Sequence, residues 1–259
     1  MKTPVVSMRG VSLTYHSPDT ETCAVEQLDL DVNEGAILGI VGPSGCGKTT
    51  VLSMIAGILS PTSGSVTVCG KNAPDARTHT GYMLQRDELF EWRTIRDNVL
   101  LGLQIRKNVT PETCALADTL LEKYGLSAFK QFYPSQLSGG MRQRAALIRT
   151  LVLSPDILLL DEPFSALDFQ TRLTAVDTVH RVLHTEHKTA IFVTHDISEA
   201  VSLCDRIVVL SARPSKVRAV IPVETLRGLT PLQRREAADF GMYFDKIWKL
   251  LQPANGETL

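Results

Sequence analysis

The sequence predicts an α/β fold, in which a parallel β-sheet carries helices on its faces. Apolar runs at residues 36–41, 157–160 and 190–193 have the length of strands, and none alternates with polar residues. Such runs are typical of strands that are buried on both faces, as in a parallel sheet. Segments with helical spacing of apolar residues separate the later runs, and this alternation predicts parallel strand pairing.

The N-terminal part differs because polar and apolar residues mix there over short stretches, which predicts an antiparallel β part. The strands expected up to the middle of the chain are, in order, at residues 5–15, 25–32, 36–41, 65–69 and 81–84. A helix should follow the third of these from Lys48 to about Leu59, since apolar residues recur there at helical spacing. Pro61 and Gly64 are expected to end it.

The segment at residues 87–150 predicts a mostly helical insert. Pro111 begins one of its helices, and Ser138 precedes another. The elements expected after the insert are strands at 157–160, 190–193 and 206–210 and helices at 170–184 and 198–203. The predicted organisation is one domain over 1–222, with a core at 1–86 and 151–222, a helical subdomain at 87–150 and a C-terminal helical tail at 223–259.

Composition and charge limit the function. The 259 residues carry 27 Lys and Arg against 28 Asp and Glu, a net charge of −1. Nucleic-acid-binding domains are normally basic, so bulk binding of nucleic acid is not expected. The apolar runs are far shorter than the ~20 residues of a membrane-spanning helix, and no signal peptide is expected. Five cysteines without a Cys-x-x-Cys pair predict free thiols in a reducing compartment.

A glycine-rich segment directly follows the strand at 36–41. Its sequence Gly42-Pro43-Ser44-Gly45-Cys46-Gly47-Lys48-Thr49 fits the pattern G-x-x-x-x-G-K-[ST]. Glycines let backbone N–H groups turn towards phosphate oxygens, and the N-terminus of the following helix adds positive potential. Lys48 supplies a charge for the β- and γ-phosphates, and the Thr49 hydroxyl is a suitable Mg²⁺ ligand. The strand–loop–helix context therefore predicts a nucleoside triphosphate site.

Two carboxylates, Asp161 and Glu162, directly follow the strand at 157–160. Ligands of open parallel sheets bind at the carboxyl ends of the strands. Asp161 is therefore expected to hold Mg²⁺, and Glu162 to polarise or deprotonate an attacking water. Helix-capping acids are the simpler explanation of such a pair, but the phosphate loop upstream favours the catalytic one.

A segment before the acidic strand carries a family resemblance. Leu137-Ser138-Gly139-Gly140-Met141-Arg142-Gln143 resembles the signature motif of ABC (ATP-binding cassette) ATPases, which have it at this place. Other segments follow in the family's order. Tyr15 is similar to the aromatic residue that stacks on adenine, Gln85 to the Q-loop glutamine, residues 165–168 to the D-loop and His195 to the switch histidine. Met141 departs from the family, whose signature usually has Gln there.

The resemblance covers roughly residues 5–222 and implies a P-loop NTPase core of the RecA-like type, with the N-terminal β part and helical insert of ABC ATPases. It implies ATP and Mg²⁺ as cofactors. The implied catalytic residues are Glu162, His195 and Gln85, and the implied metal contacts are Thr49, Gln85 and Asp161. The implied ATP-binding residues are Tyr15, Gly42, Pro43, Ser44, Gly45, Cys46, Gly47, Lys48, Thr49, Thr50, Ser138, Gly139, Gly140 and Asp168.

The resemblance also implies partners. Ser138 and Gly140 would bind the γ-phosphate that is held by the partner subunit's Lys48, so two ATP molecules would join two copies of the chain head to tail. Two transmembrane permease subunits and an extracytoplasmic solute-binding protein would complete a transporter, with this chain at the cytoplasmic face of the membrane. Leu89, Phe90 and Trp92 form an apolar cluster after Gln85 that suits contact with a short permease helix.

The substrate class follows from weaker resemblances. The stretch at 89–99, residues 210–214 and the aromatic tail resemble ABC importers of nitrate, sulfonates and taurine, although Glu91 stands where Pro is common. An importer of a thiamine-pyrimidine or riboflavin-like precursor is one alternative. A soluble ABC ATPase that acts on DNA or ribosomes, or an exporter ATPase, is another.

Three other signals have simple structural explanations. His180, His184 and His187 have helical spacing and are expected to lie on a solvated helix surface rather than to bind a metal. The Cys46 thiol is expected to be incidental to phosphate binding, although its position could make the site sensitive to alkylation. The aromatic residues of the tail are expected to pack against the core of this chain.

Overall fold

The computed structural model describes residues 4–18, 20–165 and 167–252. Its strands are β1 (Val6–His16), β2 (Glu21–Val32), β3 (Ile37–Val41), β4 (Ser63–Val68), β5 (Lys71–Asn72), β6 (Thr80–Met83), β7 (Ile157–Asp161), β8 (Thr189–Val193), β9 (Arg206–Leu210) and β10 (Val217–Pro222). Its α-helices are α1 (Lys48–Ile55), α2 (Ile95–Ile105), α3 (Pro111–Lys123), α4 (Gly139–Leu151), α5 (Phe169–Thr185), α6 (Ile197–Leu203), α7 (Pro231–Glu236) and α8 (Asp239–Leu251). Short 3₁₀ segments lie at Ala73–His79, Ser127–Phe129 and Pro134–Gln136.

The strands form two sheets, as the sequence predicts. An antiparallel sheet has the order β2-β1-β4-β5, and a larger sheet has the order β10-β9-β3-β8-β7-β6. Strands β6, β7, β8, β3 and β9 pair in parallel, and β10 pairs antiparallel to β9 at the edge. The carboxyl ends of β3, β7 and β8 therefore meet at one edge of the sheet.

The core confirms that the apolar runs are buried on both faces. Every residue of β3, β7 and β8 is buried. One apolar cluster joins the antiparallel sheet and α1 to one face of the large sheet, and a second joins α4, α5 and α6 to the other face. Helices therefore pack on both faces of the sheet whose strand ends carry the polar residues described below.

Helix α1 is shorter than predicted. It ends at Ile55 rather than near Leu59, because Gly57 has a left-handed backbone conformation, with φ at +69°. A Cβ at Gly57 would lie 2.5 Å from the Ala73 carbonyl oxygen, so this turn admits only glycine. The left-handed turn at Gly57 therefore ends the helix before Pro61, and the Ile58 N–H donates back to the Ser53 carbonyl oxygen at 2.9 Å.

Residues 87–150 contain the expected helices and one that the sequence analysis did not separate. Helices α3 and α4 begin as predicted, with Ser138 as the N-cap of α4. The additional helix is α2, whose N-cap Thr94 accepts a hydrogen bond from the Asp97 backbone N–H. Helix α2 packs against α4, which fixes the loop between Gln85 and α2 on the large sheet.

The tail packs against the core, as expected for its aromatic residues. Tyr243 and Ile247 of α8 are buried, whereas Trp248 is 53% exposed. Arg234 of α7 is also buried, and its guanidinium donates to the Cys204 carbonyl oxygen at 2.7 Å. This bond ties the tail to the loop after α6.

The remaining structural expectations have mixed outcomes. His184 and His187 are exposed as predicted, but His180 is half-buried, and burial lowers its pKa to about 4. All five cysteines are free thiols. Within the part of the chain that the structure describes, no helix combines the length and apolar character needed to span a bilayer.

Candidate active site

The glycine-rich segment forms a loop between β3 and α1. The Lys48 ammonium donates to the carbonyl oxygens of Gly42 at 2.9 Å and Pro43 at 3.0 Å, so the side chain folds back over the loop. Lys48 is 6% exposed. Gly45 and Gly47 have φ of +70° and +111°, a conformation that turns backbone N–H groups into a concave surface at the start of α1. The loop is therefore shaped for a phosphate chain.

Close packing within the loop and contacts from other segments fix its shape. A Cβ at Gly42 would lie 2.7 Å from the Cys46 sulfur and 3.2 Å from Leu210 Cβ, so a larger residue there would displace Cys46. The Arg213 guanidinium donates to the Gly45 carbonyl oxygen at 2.6 Å. Cys46 is 1% exposed and burial raises the pKa of its thiol, and both properties disfavour the reaction of this thiol with alkylating reagents.

The other predicted side chains of the loop are more accessible than Lys48 and Cys46. Thr49 and Ser44 are exposed, and Pro43 and Thr50 are half-buried. The Tyr15 hydroxyl lies 3.2 Å from the Thr50 hydroxyl, and the Tyr15 side chain is among the exposed apolar residues, 42% accessible. Tyr15 thus borders the same loop from the antiparallel sheet.

Asp161 lies at the carboxyl end of β7, directly beside the start of α1. Its Oδ1 accepts a hydrogen bond from the Thr49 hydroxyl at 3.2 Å, and its Oδ2 accepts one from the Tyr82 hydroxyl at 3.2 Å. Burial raises the pKa of Asp161, and these two hydrogen bonds oppose the rise. Burial also raises the pKa of Tyr82 to about 12, which keeps its hydroxyl a donor. A carboxylate and a hydroxyl so placed are oxygen ligands that suit Mg²⁺.

The three predicted catalytic residues, Glu162, Gln85 and His195, meet at the Glu162 carboxylate. Its Oε2 accepts a hydrogen bond from Gln85 Nε2 at 3.2 Å and lies 3.1 Å from His195 Nδ1. The Glu162 backbone has φ at +44°, in the left-handed region, and its N–H donates to the Val193 carbonyl oxygen at 2.9 Å. A non-glycine residue there costs about 1–2 kcal/mol. The hydrogen bond to Val193 stabilises this strained conformation, which places the Glu162 carboxylate beside Asp161.

The segment at 138–140 packs against the turn that starts α5. Ser138 caps α4 by accepting a hydrogen bond from the Met141 N–H at 3.4 Å. A Cβ on Gly140 would lie 2.4 Å from Thr171 Cγ2, and one on Gly139 would lie 3.6 Å from Leu167 Cδ2. Among the hydrogen bonds of the described residues, none joins this segment to the phosphate loop. Within one chain, this segment therefore packs against the start of α5.

The predicted D-loop lies at the same turn. Asp168 is the N-cap of α5, where its Oδ1 accepts a hydrogen bond from the Thr171 N–H at 3.1 Å. Hydrogen bonding to the side chain and the N–H of Thr171 lowers the pKa of Asp168. Ser165 donates through its hydroxyl to the Glu162 carbonyl oxygen at 3.0 Å. Ala166 lies outside the described residues. The turn therefore connects the backbone at Glu162 to the start of α5.

A cleft of about 260 Å³ lies beside Gln85, between this turn and α4. Asp87 on its wall forms a two-bond ion pair with Arg142, at 2.9 and 3.1 Å. Arg149 donates to the carbonyl oxygens of Asp87 and Glu88, at 2.6 Å each. The segment after Gln85 is thus held on α4 by arginines of the predicted signature helix.

The apolar cluster after Gln85 divides into a buried and an exposed part. Leu89 is 6% exposed and belongs to the core. Phe90 and Trp92 stack with ring centroids 4.8 Å apart, and Trp92 is 73% exposed. An exposed aromatic pair on a rigid loop is typical of a protein contact.

A second group of metal-ligating residues lies elsewhere, near the amino end of β7. Among the described residues, Cys69, His79 and Asp156 place ligand atoms within 4.8 Å of one another. His79 is already engaged on both ring nitrogens, with Asp156 at 2.6 Å and the Lys71 ammonium at 3.5 Å. A neighbouring ammonium disfavours a cation, so this cluster is a surface hydrogen-bond network.

Sequence reasoning missed several residues that shape the site. Tyr82 lies three residues before Gln85, but only the pairing of β6 with β7 brings its hydroxyl to Asp161. Arg213 lies in the segment at 210–214, which resembles that of the importers. Its contact with the phosphate loop depends on a long-range approach of β9 to β3, for which the sequence carries no local signal.

Comparison with known proteins gives one family. The family model described as "ABC transporter" matches residues 25–165. An uncharacterized ABC transporter ATP-binding protein, YtlC of Bacillus subtilis, is 46% identical over 242 residues, which cover 93% of each chain. The taurine import ATP-binding protein TauB of Jannaschia is 37% identical over 82% of this chain and 80% of its own length. The sulfate/thiosulfate import ATP-binding protein CysA of Mycobacterium tuberculosis is 44% identical over 72% of this chain and 54% of its own length.

Solved structures give the same fold. The ATP-binding cassette MJ0796, solved as a dimer in a post-hydrolysis state with ADP and Pi, has a TM-score of 0.74 and 30% identity. The alignment covers 85% of this chain and 99% of that cassette. A second dimeric structure of MJ0796 has a TM-score of 0.75 and 29% identity.

Proposed function

Because the chain belongs to the ABC transporter family of ATP-binding proteins, we propose that it energises the import of a small solute such as nitrate, a sulfonate, taurine or a related compound. Membership follows from the family match and from similarity to an ABC transporter ATP-binding protein along nearly the whole chain. The protein is the ATP-binding subunit of an ABC transporter and an ATPase coupled to transport. The solute, the partners and the residue roles are our proposals.

One observation supports the catalytic assignment most strongly, namely the convergence of Gln85 and His195 on Glu162 Oε2. We assign Glu162 as the base that takes a proton from the attacking water, because its carboxylate lies at the sheet edge next to Asp161. Gln85 orients that water, and His195 contacts the γ-phosphate. Lys48 and the N–H groups of residues 42–50 bind the phosphates, and Tyr15 supports the adenine.

Thr49, Asp161 and Gln85 are the residues that would hold Mg²⁺. The donor set fits the ion, since a hydroxyl and a buried carboxylate lie 3.2 Å apart beside the phosphate loop. A bound Mg²⁺ would neutralise part of the phosphate charge. Tyr82 keeps the Asp161 carboxylate oriented for this role.

We propose a homodimer in which Ser138, Gly139, Gly140 and Asp168 complete the site of the other subunit. Among the described residues, no hydrogen bond joins the signature segment to the phosphate loop of its own chain, and this supports the arrangement. Helix α4 presents its N-terminal N–H groups at this segment, which suits a phosphate oxygen. The dimeric cassette structures of MJ0796 are consistent with the same assembly.

We propose two permease subunits as further partners, fed by an extracytoplasmic solute-binding protein, with this chain at the cytoplasmic face of the membrane. Residues 87–150 would be the helical subdomain of a domain over 1–222, followed by the tail at 223–259. The exposed pair Phe90 and Trp92 and the adjacent cleft are the proposed permease contact. Nucleic acid is not a proposed partner, since the net charge is −1.

The solute class rests on relatives alone. TauB and CysA are named for the import of taurine and of sulfate or thiosulfate, and both are ATP-binding proteins.

Paired substitutions test the catalytic proposal. Glu162→Gln should bind ATP, accumulate as a dimer and lower kcat by about 10²–10⁴, since one proton acceptor is lost. Lys48→Ala should instead lose ATP affinity by about tenfold or more, because a charge-assisted contact is removed. Equilibrium binding of a fluorescent ATP analogue, size-exclusion chromatography and phosphate release separate these outcomes. Wild-type turnover in Glu162→Gln would contradict the assignment of the base.

Co-purification from the native membrane tests the transport proposal. The tagged chain should recover a multi-span permease in mild detergent, and the Trp92→Ala variant should recover less of it at equal ATP affinity. The binding protein of that system can then be titrated with nitrate, taurine, sulfate and thiamine pyrimidines. Recovery of ribosomal or DNA-repair proteins with wild-type chain would instead support a soluble ATPase.

A further inference from the structure

Arg172, in the first turn of α5, contacts two segments of the site that are far apart in sequence. Its Nη2 donates to the Leu167 carbonyl oxygen at 3.0 Å, on the turn that precedes α5. Its Nη1 donates to Asp196 Oδ2 at 3.4 Å, and its Nε lies 3.7 Å from Glu199 Oε1. One guanidinium therefore joins the turn at 167–168 to the residues that follow His195.

The second segment fixes the backbone on both sides of His195. Glu199 is 3% exposed, and its Oε2 accepts a hydrogen bond from the Thr194 hydroxyl at 2.6 Å. The same hydroxyl accepts one from the Asp196 N–H at 3.0 Å. Asp196 Oδ1 in turn accepts from the N–H groups of Ser198 at 2.7 Å and Glu199 at 3.3 Å. The His195 side chain reaches Glu162 from a backbone held on both sides.

Arg172 supplies one positive charge to a network that contains the two carboxyl groups of Asp196 and Glu199. Burial raises the pKa of Glu199, and the hydrogen bond from Thr194 and the charge of Arg172 oppose that rise. Arg235 of α7 faces the same two acids but is half-buried, and within the described residues it forms no salt bridge with either of them. Buried carboxylates are costly without a cationic partner, so the conformation around His195 depends on Arg172.

The turn before α5, to which Arg172 donates, packs against the signature segment at 138–140. Thr171 and Leu167 pack against Gly140 and Gly139, at the N-terminus of α4. In the proposed dimer this segment contacts the nucleotide of the other subunit. A shift of the segment on binding or loss of that nucleotide would move the turn to which Arg172 is bonded.

We propose that Arg172 is a positioning residue that couples the two nucleotide sites of the dimer, by linking the turn under the signature segment to the backbone that carries His195. The inference rests on the proposed function, in which the signature segment and His195 serve different sites. It assigns Arg172 no contact with ATP. Substitution should therefore lower turnover and cooperativity and leave nucleotide binding to the monomer intact.

The test compares Arg172→Ala with Arg172→Lys. We expect Arg172→Ala to lower kcat by about tenfold, with the Kd of a fluorescent ATP analogue within about twofold of wild type. The Hill coefficient for ATP should fall from above one towards one, since the sites become independent. Arg172→Lys should restore part of kcat because it keeps the charge but not the forked contact. Arg181→Ala, an exposed arginine of the same helix, should match wild type.

Two further measurements guard against a merely structural effect. Thermal unfolding of each variant shows whether the fold survives, and Arg172→Lys keeps the test valid if the alanine variant is unstable. In a double-mutant cycle, Arg172→Ala and Asp196→Asn should be less than additive in kcat, because both break one link. Additive effects, wild-type cooperativity in Arg172→Ala, or a wild-type Hill coefficient near one would each overturn the inference. Failure of the proposed function has a different signature, namely continued turnover in Glu162→Gln.

Discussion

One buried side chain holds the loop that carries Phe90 and Trp92. Removing this side chain tests whether it fixes the conformation of the loop. Asn98 of α2 is fully buried. Its Oδ1 accepts a hydrogen bond from the Phe90 N–H at 2.7 Å. Its Nδ2 donates to the carbonyl oxygens of Phe90, Arg93 and Thr94, at 3.1, 3.2 and 3.0 Å. We expect Asn98→Ala to release this loop from α2 without disturbing the phosphate site.

The size of the effect follows from the contacts. The amide of Asn98 has two N–H protons for three carbonyl oxygens, so the side chain makes about three full hydrogen bonds. Each contributes about 1 kcal/mol net, and the groups left without a partner add to the loss. The expected cost is about 3 kcal/mol, which corresponds to an opening equilibrium about 150-fold more favourable.

Hydrogen exchange measures this opening directly. The amide of Phe90 should exchange about 100-fold faster in Asn98→Ala than in wild type, whereas the amides of the phosphate loop should be unchanged. Asn108→Ala is the matched control, because Asn108 lies exposed beyond the end of the same helix. Asn98→Asp should be at least as harmful as alanine, since it places a carboxylate against three carbonyl oxygens.

The functional consequence separates the loop from the chemistry. Asn98→Ala should retain wild-type ATP affinity and recover less permease, because only the proposed contact surface is disordered. Unchanged exchange at Phe90 in Asn98→Ala would refute the reasoning, since it would show that the loop is held by packing of Leu89 rather than by the asparagine.

Two other substitutions or treatments test separate parts of the site. Ser138→Arg should leave ATP binding to the monomer unchanged and prevent the ATP-dependent dimer in size-exclusion chromatography; a dimer of normal stability would contradict a role for this segment across the interface. Cys46 should react with iodoacetamide more slowly than the half-buried Cys23 and Cys114, because burial removes access and raises the pKa of its thiol, so that less thiolate exists below that pKa. Raising the pH should speed the labelling of all three thiols, which mass spectrometry of the modified peptides can follow. Faster labelling of Cys46 than of Cys23 and Cys114 would contradict the burial argument.

Sequence reasoning succeeded where a local pattern has one structural solution. A strand of aliphatic residues next to a glycine-rich turn left little choice for β3, the phosphate loop and the start of α1. The same holds for Asp161 and Glu162, whose place at the end of β7 follows from the apolar run before them. The exposure of His180 was predicted wrongly because helical spacing gives the face of a helix but not what packs on that face.

Other elements were missed for identifiable reasons. Helix α2 has a clear N-cap in Thr94 and Asp97, but the polar residues before it made the whole stretch resemble a loop. The edge strand β10 is short and alternates weakly, and its partner β9 supplies the pairing that fixes it. Helix α1 was extended too far because Gly57 adopts a left-handed conformation that ends it, at a place where the Ala73 backbone, 16 positions away, leaves no room for a Cβ.

The sequence by itself determined the chemistry of the site, because phosphate binding, metal binding and proton transfer each require particular residue types at fixed local spacing. Lys48, Thr49, Asp161 and Glu162 are identifiable on those grounds alone. The tertiary structure decided which of these groups meet. It placed Gln85 and His195 on one oxygen of Glu162, held Asp161 with Tyr82, and linked His195 to a distant turn through Arg172. These contacts join segments that are separated by tens of residues, and their geometry depends on the order of strands in the sheet rather than on any local pattern.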